Sequence, residues 1–548
     1  MLKILNWDKK CFSYSIILVL ITFGFYIFNI GGYDLNAPDE PRYGEVAREM
    51  LVNGNYVIPH LNNQIYYEKP PLFFGLTALF AKLAGKTTVI TVRLPVIILA
   101  CLLIGLLTYY FGTRLGKKVG LLTGMILATT VNYFWLAMRI NLDIPLIFCT
   151  TLALILLYEQ LAEGKPSYKG YLAFFLMGIG TLFKSQAALL PIVVIIVFAL
   201  LSKKAKQLRN IPWLRGFLIY LAVVGLWVVS SYIIGGYSYF KITILDQLID
   251  YSTGAQGHPE PFYYYLTTFP LEALPWSIFI IPAFYSLYQK RNELPDLVKL
   301  SPVWFIAIFI IFSIVGSKRG LYLLQLYPAF ALIIAWFFGK HLEKPENSFW
   351  GLKIPAICLG LLLLIAGLII SSRGITLIEK TTDFTLVSKS GFIFALKYFA
   401  WLLMGMGVLF ITSIFTKRKI FIFAVTVGFS IAMLLFVKGI IMPTINPSKS
   451  ERYLAEDLAK MRDKNQNVGL WGSVNNDSGI IFYNGIYFDT VLNNEQEVKA
   501  FLNQPNEVLM VTSAEEFFNT FKGKIPENWR IKQYQIGSGK MVLIKVDK

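Results

Sequence analysis

A chain of 548 residues with 55% hydrophobic content, 15% charged content and a mean hydropathy of +0.57 is too apolar for a soluble globule and has the composition of a polytopic membrane protein. Its formal charge of +18 is spread in short clusters between apolar runs, where cations set topology and touch anionic lipid, so nucleic acid is excluded as a partner. Cys11, Cys101, Cys149 and Cys358 lie in or beside apolar segments with no CxxC spacing, which indicates neither a disulfide framework nor a thiolate metal site.

The first apolar run, Cys11 to Gly31, follows a lysine-containing N-terminus and precedes no small-residue cleavage site. It is long enough to span, and an uncleaved first helix with a cytoplasmic N-terminus is expected. Further apolar segments run at 71–85, 94–113, 118–136, 144–161, 170–184, 186–202, 214–235, 263–289, 301–316, 321–339, 350–371, 394–415 and 419–440. The segment at 71–85 is short, is preceded by Pro70, begins with Pro71 and carries Lys82, which suits a helix lying in the interface. Without it about thirteen spans remain, and every inner connection is rich in cations, from Arg114, Lys117 and Lys118 through Lys203 to Arg215 and on to Lys417, Arg418 and Lys419. The expected fold is mainly α: a transmembrane unit over 1–441 with a periplasmic loop at 32–93, then a soluble α/β unit over 442–548.

On the outer side, Asp39-Glu40-Pro41-Arg42-Tyr43 opens an amphipathic stretch, and Tyr66-Tyr67-Glu68-Lys69-Pro70-Pro71 closes the same loop. Asp39 reads either as a helix cap or as a functional carboxylate, and Arg42 either as a partner of Glu45 or Glu49 or as an anion binder. Asp143 stands with Arg139 and Asn141 where one helix ends and the next begins, again as cap or as site. Lys184 interrupts an apolar run at the rim, where it snorkels or binds phosphate. The loop 236–262 is rich in glycine and tyrosine, holds His258 and reads as a lid. Lys318 and Arg319 occupy a tight outer turn followed by Tyr322 and Tyr327, which points to an anion such as a lipid phosphate.

Past Met442 the composition shifts. Helix-like stretches at 450–464, 494–504 and 513–521 alternate with strand-like ones at 468–472, 479–485 and 508–513, and 529–546 reads as a hairpin turning at Gly537-Ser538-Gly539. This unit carries no catalytic motif and is expected to handle substrate or support the fold.

The ordered set DEPRYGEVAREM, YYEKPPLFF, RINLDIP, TLFKSQ, GHPEPFYYYL and SKRGLYLLQLYPA resembles the bacterial branch of the integral-membrane glycosyltransferases of the GT-C class. That branch includes the aminoarabinose transferase of lipid A and is related to the protein O-mannosyltransferases. The resemblance covers roughly the first 440 residues and departs from the family at Pro41. It implies transfer of a sugar from a polyprenyl-phosphate donor, undecaprenyl phosphate, to lipid A, another envelope glycolipid or a protein at the periplasmic face of the inner membrane by a monomeric enzyme. Its acidic residues fall on Asp39, with Glu40 beside it, and on Asp143, and its lysines fall on Lys69 and Lys184. Glu68 and His258 resemble a zinc pair of the aminoarabinose transferases.

A phosphate leaving group gathers negative charge as the glycosidic bond breaks, and fixed cations at Arg42, Lys69, Lys184, Lys318 and Arg319 answer that need, with Tyr43, Tyr67 and Tyr322 beside them. Asp39 is then the candidate base toward a hydroxyl acceptor, and direct displacement inverts the anomeric carbon. The alternatives are a transporter or lipid flippase, whose paired broken helices and internal repeat are not evident here, and a membrane scaffold, which leaves the outer cations without a task.

Overall fold

The computed structural model describes residues 8–246, 259–343, 350–379, 389–416, 418–463, 466–521 and 525–547. In lipid every backbone N–H and C=O must be bonded within its own segment, so the apolar runs become helices. The order is α1 (Lys9–Ile27), α2 (Asp39–Asn53), a short hairpin β1 (His60–Leu61) and β2 (Gln64–Ile65), α3 (Leu72–Leu83), α4 (Val89–Leu115), α5 (Lys117–Thr129), α6 (Val131–Ala137), α7 (Asp143–Ala162), α8 (Tyr168–Phe183), α9 (Leu190–Leu201) and α10 (Trp213–Phe240). Then come α11 (Tyr264–Glu272), α12 (Ile280–Gln289), α13 (Asp296–Ile314), α14 (Tyr327–Glu343), α15 (Trp350–Glu379), α16 (Lys389–Ser413) and α17 (Ile420–Phe436).

Among the described residues nine helices are long and apolar enough to cross a membrane. Two pairs bent by 69° (Lys117–Thr129 with Val131–Ala137) and 112° (Tyr264–Glu272 with Trp276–Gln289) bring the number to eleven. The expected spans at 170–184 and 186–202 fall on the shorter apolar helices Tyr168–Phe183 and Gln186–Leu201.

Buried Arg93, in the first turns of α4, shows where the segment between α1 and α4 returns. Its guanidinium donates to the carbonyls of Ile30, Tyr33 and Asp34, just past the end of α1, at 2.9, 3.1 and 2.9 Å. The end of α1 and the start of α4 therefore lie at the same end of the bundle, with α2 and α3 between them in the chain. At the opposite end the cation-rich connections tie to one another: Arg114 and Lys169 share Glu159 at 2.8 and 3.5 Å, Lys117 reaches Asp8 at 3.3 Å, Lys204 pairs with Asp296, and Lys118 donates to the carbonyl of Gly339 at 3.4 Å.

The C-terminal unit contains α18 (Arg452–Met461), β3 (Asn467–Trp471), α19 (Val474–Asn484), β4 (Thr490–Leu492), α20 (Glu495–Leu502), β5 (Val508–Ser513), α21 (Ala514–Phe521), β6 (Trp529–Ile536) and β7 (Gly539–Val546). Its sheet runs β4-β3-β5-β7-β6, with β3 parallel to both neighbours and β7 antiparallel to both of its own. Helices α18 and α19 cover one face, and α20 and α21 the other. The hairpin turns at Gly537 and Ser538, and Gly537 takes φ +65°. Residues 479–485, expected as a strand, instead finish α19. Ile480 and Ile481 are buried there beside Phe482, and a short apolar run that is buried on several sides reads the same in either periodicity.

This unit docks on the segment 32–93. Asn446 brackets Asp34, accepting its N–H at 2.7 Å and donating to its carboxylate at 2.8 Å. The Tyr483 hydroxyl accepts from Leu35 N–H at 2.7 Å, and Asn62 exchanges two bonds with the backbone of Phe488 at 2.9 and 3.1 Å. Asn62 and Asn63 form the β1–β2 turn at φ +56° and +59°, a conformation asparagine tolerates, and Glu49 accepts both of their N–H groups at 2.6 and 3.1 Å.

Candidate active site

A cavity of about 680 Å³ opens where α2, the turn before α7, the end of α8 and the turn before α14 meet. Asp39, Lys69, Arg139, Asp143, Lys184 and Arg319 supply its polar wall, while Leu142, Leu146, Phe312, Ile314, Val315 and Leu321 supply an apolar one.

Asp39 is the first residue of α2 and makes no capping bond; Pro38 precedes the helix. Its carboxylate lies between two guanidiniums, 2.5 Å from Arg42 and 3.0 Å from Arg319. Burial raises its pKa, but Arg319 and Arg42 together hold it below the usual carboxylate range. Arg42 therefore pairs with Asp39 rather than with Glu45 or Glu49; Glu45 is taken by Arg48 in a bidentate pair at 2.7 Å.

Glu40 differs from its expected catalytic role. It is 1% exposed, takes Arg93 on both oxygens at 3.0 and 2.9 Å, and accepts the N–H groups of Ile140 at 2.9 Å and Asn36 at 3.0 Å. Burial pushes its carboxyl up, yet Arg93 and Arg139 bring it down to about 2. With both oxygens occupied, Glu40 locks α2 to α4 and to the turn carrying Arg139 through Asp143, and so positions the site.

In that turn Asn141, not Asp143, satisfies the start of α7: its carbonyl oxygen accepts from Asp143 N–H at 3.1 Å and Ile144 N–H at 3.0 Å. Asp143 is left to pair with Lys184, which follows the last turn of α8 and also sits 4.9 Å from the Tyr322 ring centroid. Across the cavity, Arg319 precedes Gly320, where a Cβ would lie 1.9 Å from Glu272 Oε1. A larger residue there would have to displace the Glu272 carboxylate. Lys318, expected to bind phosphate, is 3% exposed, and its ammonium donates to the carbonyls of Val315 at 2.7 Å and Glu260 at 2.8 Å, so it closes the end of α13 instead. Tyr43 lines the cavity with its ring against Phe73 and Phe74, and burial pushes its phenol up to about 12. Tyr67 is not among the lining residues and packs on Tyr239, 5.7 Å between centroids.

Glu68 accepts from Tyr66 at 3.0 Å and from Asn475 of α19 at 2.9 Å, with Arg42 3.7 Å away, so both of its oxygens face protein donors. His258 and the rest of 247–258 in the expected lid lie outside the described residues, and α10 runs on past a break at Gly236, where φ is +71°. Among the described residues no three His, Cys, Asp or Glu side chains cluster as metal ligands, and Glu68 alone does not supply a zinc set. Arg139, named in the sequence only as a neighbour of Asp143 and given no role, lines the cavity, lies 5.2 Å from the Trp135 ring and is 3.7 Å from Glu40. The available signal was a cation on the cation-poor side, the same signal that found Arg319. Gln186 and Gln325, also in the lining, carried none.

The family described as dolichyl-phosphate-mannose-protein mannosyltransferase matches residues 68–229. An uncharacterised protein of Aquifex aeolicus is 27% identical over 463 residues, 83% of each chain. The undecaprenyl phosphate-alpha-4-amino-4-deoxy-L-arabinose arabinosyl transferase 2 of Proteus mirabilis is 27% identical over 331 residues, 59% of this chain and 58% of that protein. The chain therefore spans less than two thirds of that curated transferase. Among solved structures, ArnT from Cupriavidus metallidurans bound to undecaprenyl phosphate superposes with a TM-score of 0.78 at 18% identity, covering 97% of this chain and 98% of that one. The archaeal oligosaccharyltransferase AglB from Archaeoglobus fulgidus gives 0.52 at 12% identity over 94% of this chain and 71% of that one. The chain has the GT-C fold of these enzymes.

Proposed function

We propose that this chain is a lipid-linked-sugar glycosyltransferase of a bacterial inner membrane, taking its sugar from undecaprenyl phosphate or a similar polyprenyl phosphate. The observation that carries this reading is the two-sided cavity, in which Lys69, Arg139, Lys184 and Arg319 converge beside an apolar wall from Phe312 to Leu321. A phosphate with a long hydrocarbon tail is the ligand whose two halves match those two walls. The matches to the arabinosyl transferases support the same class of donor.

On this reading the arriving phosphate competes with Asp39 for Arg319 and with Asp143 for Lys184. Each cation that turns to the phosphate stabilises the charge that grows on it as the glycosidic bond breaks, an effect worth about 3–4 kcal/mol per well-placed group. Each carboxylate so released faces the sugar and the acceptor. Asp39, held below the usual carboxylate range by Arg319 and Arg42, is a weak base while so paired, which favours an acceptor that is already an anion, such as the phosphate of an envelope glycolipid, over a hydroxyl that must lose its proton. Attack opposite the leaving phosphate inverts the anomeric carbon. We take the working unit to be a monomer whose cavity and C-terminal unit face the periplasm.

The test is transfer of radiolabelled sugar from an undecaprenyl-phosphate-linked donor by the purified chain in lipid nanodiscs. Lys69→Ala and Asp39→Asn are expected to lower kcat by roughly 10²-fold or more at unchanged expression. Full activity in both variants would remove this cavity as the site.

A further inference from the structure

A second cavity, of about 270 Å³, lies on the other side of α6 from the first. Phe134 of α6 lines this one, and Leu136 lines the candidate active site. Three helices each contribute a single stripe to it. Tyr14, Leu18, Ile21 and Phe25 come from α1, Leu121, Met125 and Ala128 from α5, and Val427, Ile431 and Leu434 from α17. The i, i+3 and i, i+4 spacings make each stripe one helix face. Ile17 and Ile21 are 52% and 51% exposed, so the groove opens toward lipid.

Three of the hydroxyls in its wall are spent on backbone carbonyls, Thr22 on Leu18 at 2.7 Å, Thr129 on Met125 at 2.6 Å and Tyr26 on Ala128 at 3.0 Å, while Tyr14 is 45% exposed at its edge. Only hydrocarbon suits such a lining. The one charged lining residue is Lys438, in a π-helical turn at Val437–Ile441 beyond α17. It is 1% exposed and its ammonium makes one bond, to the carbonyl of Tyr26 at 2.8 Å, with no carboxylate paired to it among the described residues. An ammonium has three donors and, when buried, needs a counter-charge. Its level is that of the membrane surface, because Asn29, just past the end of α1, bonds the Lys438 carbonyl at 2.7 Å.

We propose that this groove holds one acyl chain of an anionic glycerophospholipid, with the lipid phosphate on Lys438. Depth argues for a leaflet phospholipid over a polyprenyl lipid. From Tyr14 to Tyr26 the α1 stripe is roughly 18 Å long at the helical rise, close to half of the hydrocarbon core of about 30 Å. The chain therefore ends at the bilayer midplane, where an acyl chain also ends and a polyprenyl chain does not. A lipid seated there braces α6 from behind and is separate from the donor in the first cavity.

Native mass spectrometry of the full chain, titrated with phosphatidylglycerol and with phosphatidylcholine of the same acyl chains, tests this. One phosphatidylglycerol is expected to be retained roughly tenfold better than phosphatidylcholine, whose choline cation offsets the phosphate charge that Lys438 meets and competes with the lysine for it. That preference should persist in Lys69→Ala, whose donor cavity is impaired, and vanish in Lys438→Gln. Ile21→Trp, which fills the groove at an exposed position and keeps the lysine, should also abolish retention and covers the case in which Lys438→Gln fails to fold. Equal retention of the two lipids, or retention unchanged in both groove variants, overturns the proposal. Displacement of phosphatidylglycerol by undecaprenyl phosphate in the Lys69→Ala protein overturns the choice of a leaflet phospholipid.

Discussion

Between Arg42 and Arg319 the Asp39 carboxylate has two partners at 2.5 and 3.0 Å, and its pKa is lowered because those charges outweigh its burial. A carboxyl whose folded pKa lies below its unfolded one stabilises the fold above the unfolded value, and that contribution fades as pH falls through the folded value. Asp39 is therefore expected to leave activity flat from about pH 5 to 8 and to impose an acid limb only below about 4. The pH profile of kcat/KM checks this, and an acid limb centred above about pH 5 that disappears in Asp39→Asn would show an unpaired base instead. The neighbouring Glu40 should behave differently, through the fold. Removing its charge in Glu40→Gln strands buried Arg93, a break that costs about 3–5 kcal/mol, so its thermal midpoint should fall well below that of Asp39→Asn. Nothing in DEPRY distinguishes the two carboxylates, because the residue that claims Glu40 sits 53 positions away. Lys318 and Arg319 were indistinguishable for the same reason: adjacent cations on a turn point opposite ways, one into carbonyls and one into the cavity.

At the scale of elements, the turn from Ile140 to Asp143 holds the geometry. Asn141 receives the first N–H groups of α7 and also donates to the carbonyls of Leu136 and Arg139 at 2.5 and 2.8 Å. Asn141→Ala should cost about 1 kcal/mol of stability, as lost helix caps do, but lower kcat by more than that loss implies, because Asp143 and Arg139 both hang on this turn. Equal kcat in the variant would show that the turn keeps its shape without the side chain. The placement of this turn at a helix start was legible from Pro145 and the polar run before it, whereas which residue caps was not, since Asp and Asn satisfy the same donors. The expectation that 71–85 does not span rests on charge parity, and Arg93 adds that the two ends of its segment are pinned together.

Across the whole molecule charge is divided between two ends. The ties among Arg114, Glu159, Lys169, Lys117, Asp8, Lys204 and Asp296 gather at one end, while Asp39, Asp143, Lys184, Arg319 and the C-terminal unit gather at the other. A cation excess in short loops faces the cytoplasm, so the cavity end should face the periplasm. Cys358 is the exposed native thiol, and Cys11, Cys101 and Cys149 are buried, so a Cys358→Ala protein provides a quiet background for labelling. Two single cysteines then report on the two ends, Lys165→Cys in the loop between α7 and α8 and Glu495→Cys at the start of α20, both at exposed positions. In intact spheroplasts an impermeant maleimide should modify the cysteine at 495 and reach the one at 165 only after the membrane is opened. The reverse pattern would turn the cavity toward the cytoplasm, where a periplasmic acceptor cannot reach it. The proposed chemistry would then need an acceptor on that side, even though the cavity and its cations would be unchanged.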